Sequence, residues 1–114
     1  MLQNIPIVTS IPAAGTTPAQ ANALSVSALP NSGNTLEITG KATVGSGSLY
    51  LLRWFPDLEE WRPWREYHKI TVDSSVLGGF FSASYLIPPG NEYFLLYDPA
   101  SAITATAKGQ VRAY

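Results

Sequence analysis

From Ala23 onward, apolar side chains fall on every second residue in run after run, and no stretch repeats with a helical period. A period of two sends successive side chains to opposite faces, so such a run buries its apolar set only as a strand with one face on a core. Leu24, Val26 and Ala28 alternate with Ser25 and Ser27. Leu36, Ile38, Ala42 and Val44 alternate with Glu37, Thr39 and Lys41, and Gly40 offers a place for a bulge. Phe81, Ala83, Tyr85 and Ile87 alternate with Ser82 and Ser84, while Ile103, Ala105 and Ala107, then Gly109 and Val111, line one face of a closing segment. The run from Leu49 to Phe55 is apolar on both faces, which places it centrally in a sheet and covers it on both sides. A segment over 61–72 carries Pro63, which confines its early part to an edge or a bulge.

Turn residues separate these runs: Pro30 to Asn34, Gly45 to Ser48, Pro56 to Glu60, Asp73 to Gly79, Pro88 to Asn91 and Asp98 to Ser101. About seven or eight short strands at spacings of roughly ten residues describe an antiparallel sandwich or barrel. The expectation is an all-β chain: an antiparallel β-sandwich or jelly-roll-like domain over 23–114, preceded by an extended N-terminal arm over 1–22. Jelly-roll and immunoglobulin-like strand orders both remain open.

The first 36 residues contain no Asp, Glu, Lys, Arg or His. Pro6, Pro12 and Pro18 favour extended, polyproline-like backbone there and forbid helix. A tail that must stay solvated usually carries charge. An uncharged one is cheap to bury, so the composition leans towards an arm that Ile5, Ile7 and Ile11 anchor on a neighbouring protein, with a disordered leader the other reading, since chain termini fray.

Composition removes several functions. The chain has 114 residues, room for one domain, and charged residues make up 13%, against roughly 25% in an ordinary globular protein. Net charge is -1 with the few basic residues mixed among acids, so no phosphate-neutralising face is expected and nucleic acid is an unsuited partner. There is no cysteine, hence no disulfide or thiolate site. No apolar run reaches the roughly 18 residues that span a bilayer, and no leader pattern is seen. Assembly in a cytoplasm follows as the expectation, with no membrane partner.

The residues that carry chemistry are sparse. His68 is the single histidine, so neither a triad nor a zinc site can be built around it; alternation from Ile70 and Val72 points it inward. Asp57, Glu59, Glu60 and Glu66 are the densest carboxylates, but Arg53, Arg62, Arg65 and Lys69 interleave with them as a charge-paired face. Neither a catalytic pair nor a calcium loop is expected, nor any cofactor. Trp54, Trp61 and Trp64 are the whole tryptophan content. Trp54 belongs to the two-faced strand and to the core. Trp61, Arg62, Trp64, Arg65 and Tyr67 are the types enriched at binding hot spots and are expected at a partner-binding rim, with packing of Trp61 and Trp64 into a satellite core the open alternative. Carbohydrate stacked on Trp61, Trp64 and Tyr67 is the alternative use of the same rings.

The stretch from Ser48 to Tyr114 resembles the small β-sandwich cement, or decoration, proteins of tailed-bacteriophage capsids. The likeness lies in the order of a Leu-Tyr-Leu-Leu-Arg-Trp strand, a tryptophan-bearing return, a Leu-Ile-Pro-Pro-Gly turn, a Glu-Tyr-Phe-Leu-Leu-Tyr strand and a closing strand ending Val-Arg-Ala-Tyr. The resemblance implies a non-enzymatic virion structural protein, often a homotrimer, whose extended termini clamp neighbouring capsid subunits. It assigns no site residue.

Overall fold

The computed structural model describes residues 2–30 and 33–113, and their alternating runs become ten strands in two stacked sheets. In chain order these are β1 (Gln3–Asn4), β2 (Ile7–Val8), β3 (Leu24–Ala28), β4 (Asn34–Val44), β5 (Ser46–Phe55), β6 (Glu60–Pro63), β7 (Ile70–Asp73), β8 (Phe80–Ile87), β9 (Gly90–Tyr97) and β10 (Thr104–Ala113). One sheet has the order β1-β10-β4-β8, antiparallel throughout. In the other, β9 and β5 lie at the centre. Antiparallel β3 and parallel β2 flank β9, and β6 and β7 share the far side of β5. The all-β sandwich expected from the alternation is the architecture observed.

Leu36, Ile38, Phe81, Tyr85 and Ile87 from the first sheet meet Leu24, Val26, Leu49, Leu51, Phe94 and Leu96 from the second, forming one continuous core. As its sequence requires, β5 is covered on both faces. Leu49 and Leu51 point into the sandwich, while Leu52 and Trp54 point out into a second cluster with Leu95 and Trp61. The chain steps between sheets from β4 to β5 through Gly45 alone. Its φ of 87° is left-handed, and a Cβ there would lie 1.8 Å from the Ala102 carbonyl oxygen. No other residue type fits.

Irregularity moves several residues from their expected places. Gly40 is not at a bulge; it pairs in register with Ala107 and Phe81. Its missing side chain makes room for the Phe81 ring, which a Cβ would meet at 2.2 Å. The slip falls instead at Thr43, where Val44 pairs Thr104 and Ala42 pairs Ala105. That extra residue breaks the alternation and leaves Val44 exposed. The segment 61–72 is two strands, because the ladder to β5 ends at Pro63 and restarts at Ile70. Of the turn expected at Pro30 to Asn34, Asn31 and Ser32 lie outside the described residues, as does Tyr114 at the end of the closing strand.

The N-terminal segment is partly woven into the sandwich. β1 borders β10, the Ile5 N–H donates to Ala107 O at 3.0 Å, and β2 then joins the opposite sheet along β9. Farther on, Thr17 to Ala23 forms one helical turn and not extended backbone. The Gln20 side chain accepts from the Thr17 N–H and the Thr17 hydroxyl accepts from the Gln20 N–H, a reciprocal cap. Pro18 stands at the first position of that turn, where its missing N–H costs nothing. At the far end Asn22 takes φ 53°, and Ala23 and Asn22 donate to Pro18 O and Ala19 O.

Candidate functional site

The residues expected to bind partners do not form one surface. Ile5 is 3% exposed and sits in the chain's own core, Ile7 is half-buried against it, and Ile11 is exposed. Trp61 is buried as well: it pairs with Trp54 across β5 and β6, its ring centroid 5.5 Å from that indole, and donates Nε1–H to Thr16 O at 2.9 Å. Ala21 and Ala23 of the turn described above therefore cover the outer cluster, and Thr16 just before that turn satisfies the Trp61 indole. A groove of about 710 Å³ opens beside it, with Trp54 and Tyr93 as its aromatic members.

Trp64 has a different fate because it lies just past Pro63, where β6 ends. Its N–H still donates to Leu51 O at 2.8 Å, but its indole crosses to the other sheet and donates to Leu86 O on β8 at 2.9 Å. The ring lies between two guanidiniums, Arg53 4.9 Å from its centre and Arg65 4.8 Å. Beneath it, Arg53 makes a bidentate pair with Glu92, Nε to Oε2 at 2.7 Å and Nη2 to Oε1 at 2.8 Å. Arg53 is thus no part of a solvated charged face. It closes one end of the sandwich, with its cation stacked between Phe55 and Trp64. Arg62 fits the solvated expectation better, paired at 2.8 Å with Glu60 in an exposed contact.

Beyond Trp64 the chain forms an exposed finger. Arg65 takes a left-handed φ of 60°, and Tyr67 is 97% exposed. His68 is exposed and not inward-facing, because no strand spans the residues before Ile70 to carry the alternation back to it. Its carbonyl accepts a hydrogen bond from the Tyr85 hydroxyl, and its ring lies 4.6 Å from that phenol. Burial pushes the Tyr85 hydroxyl up to about 12. The finger and β8 bound a groove of about 460 Å³ lined by Arg65, Tyr67, His68, Ser84, Tyr85 and Leu86. Trp61, Trp64 and Tyr67 make no shared stacking platform, since one is inside, one is between cations and one projects alone.

A second surface was unannounced by the alternation. Leu77 is 82% exposed and Phe80 67%, with Val44 and Val76 also exposed. Val44 ends β4, Val76 immediately precedes the 3-10 turn Leu77–Gly79, and Phe80 starts β8, and the turn packs against β4 there. A signal did exist: adjacent Phe80 and Phe81 on a strand cannot both face one core, and neither can Leu86 beside Tyr85 and Ile87. Among the described residues, no group of three His, Asp or Glu side chains lies close enough to hold a metal ion, and no helix is long and apolar enough to cross a membrane.

Comparison with protein-family models, with curated proteins and with solved structures finds no match to this chain.

Proposed function

We propose that the protein is a capsid cement, or decoration, protein: a non-enzymatic virion component that stabilises contacts between shell subunits by burying apolar surface. The observation that carries this reading is the apolar end formed by Val44, Val76, Leu77 and Phe80, left open on a domain whose charged residues are 13% of the chain. Burying a large apolar side chain is worth roughly 1.5–3 kcal/mol. A few such residues per copy, repeated by symmetry, add to a large stabilisation of a shell without any one strong contact. The uncharged segment with Ile11 exposed supports the same use, while Ile5 serves the sandwich itself. A homotrimer remains the assembly that the resemblance suggests.

The experiment compares particles lacking the gene with particles supplied with the wild-type chain or with Leu77→Ser/Phe80→Ser. Wild-type protein should raise the temperature at which particles break open, and the folded double variant should fail to. Equal particle stability in all three would remove the proposal.

A further inference from the structure

We infer that the outer edge of β8 and the finger 65–68 form a docking site for an extended strand of another protein, one carrying an acidic side chain near its end. This inference does not depend on the particle reading, because it stands on the geometry of this edge and the side chains at its end. The Ala107 carbonyl faces β1, where it accepts from Ile5. Antiparallel ladders alternate, so Lys108 bonds Thr39 across β10 and β4, and Gly40 bonds Phe81 across β4 and β8. Phe81, Ala83, Tyr85 and Ile87 therefore spend their main-chain groups on β4. Phe80, Ser82, Ser84 and Leu86 direct theirs away from the sheet. The Trp64 Nε1–H on Leu86 O reports the same parity independently.

Two of these groups are already satisfied within the chain: the Phe80 N–H by Leu77 O, and Leu86 O by Trp64. Among the described residues, the N–H and C=O of Ser82 and of Ser84 face outward with no hydrogen-bond partner, on exposed residues. Alternating donors and acceptors at strand spacing are matched by another extended backbone, the geometry of β-strand addition. Trp64 closes the row at Leu86, so an added strand must end there. At that end stands Arg65, whose guanidinium lies on the indole of Trp64 and, among the described residues, outside the ion pairs that hold Arg53, Arg62 and Arg112. A free cation beside the end of a hydrogen-bonding row calls for a carboxylate. Of the chain's own edge strands among the described residues, only Glu60–Pro63 and Ile70–Asp73 contain an acid, and both acids are already engaged, Glu60 by Arg62 and Asp73 by the Ser75 N–H and hydroxyl. The occupant is therefore a different chain and not a second copy.

The probe is a library of randomised, end-capped heptapeptides selected on the full-length protein, with the enriched peptides then titrated singly. Enriched peptides should be rich in β-branched residues, carry Asp or Glu at one fixed end position, and shift and protect the Ser82 and Ser84 amides in wild-type protein. Ser84→Pro removes an outward N–H without touching the β4 ladder, as edge positions allow; it should weaken binding more than tenfold. Arg65→Glu should do the same, and exchanging the peptide's acid for Lys should restore it. Absence of enrichment, binding that leaves those two amides unmoved, or indifference to Arg65→Glu would each overturn the inference. So would self-association of the protein that Ser84→Pro abolishes, because the occupant would then be a second copy.

Discussion

Breaking the Arg53–Glu92 pair from one side should cost far more than removing both partners together. The two side chains are 15% and 9% exposed, and they lie behind Trp64 at the end of the core. Stranding one member of a wholly buried pair costs about 3–5 kcal/mol, whereas replacing both with apolar residues is often neutral or stabilising. Arg53 keeps some solvent and two aromatic faces, so we take about 2–4 kcal/mol for each single variant, Glu92→Leu and Arg53→Met. Glu92→Leu is the worse of the two, because a stranded guanidinium cannot shed its proton. In a domain of this size each kcal/mol moves the melting midpoint by roughly 4–6 °C, so the singles should fall by about 10–20 °C. The double variant should return to within about 1 kcal/mol of wild type, giving a coupling of roughly 3–8 kcal/mol. Urea and thermal unfolding of the four proteins measures this cycle. A coupling below about 0.5 kcal/mol would refute the view that this pair is a mutually dependent plug.

Gly40→Ala should destabilise by about 1–3 kcal/mol through the clash with Phe81, and Phe81→Leu in the same chain should recover part of it in chemical denaturation. Trp61→Phe should lose about 1–3 kcal/mol from the missing bond to Thr16 O and the smaller ring, with faster amide exchange confined to residues 13–23. Tyr85 holds its proton to about 12 when folded and releases it near its ordinary value of 10.0 when unfolded. Stability should therefore be unaffected by this group below pH 10 and fall as pH rises through 10 to 12. Tyr85→Phe should flatten that fall in alkaline melting curves, and an unchanged slope would exclude the phenol as its source.

Side-chain alternation is a local property, and it fixed the faces of β3, β4, β8 and β10 wherever the ladder stayed regular. Leu36 and Ile38 are buried and Thr39 and Lys41 are out for that reason alone, and the two-faced apolar run could only become the central β5. Parity is lost at every irregularity, though, and irregularities are set by partners. The slip at Thr43 turned Val44 outward, and the end of β6 at Pro63 sent Trp61 and Trp64 to opposite environments three residues apart.

What the sequence determined by itself was the class of fold, its turns and the side of each regular strand, because period and turn chemistry act between neighbours. Tertiary structure alone decided which segments meet. Arg53 found Glu92 39 positions away, residues 3–8 were drawn into both sheets, and the edge of β8 was left with its Ser82 and Ser84 amides facing outward. The physical reason is that a strand's hydrogen bonds and buried charges are completed by other strands, so their fate is written in pairings that no single stretch of chain contains.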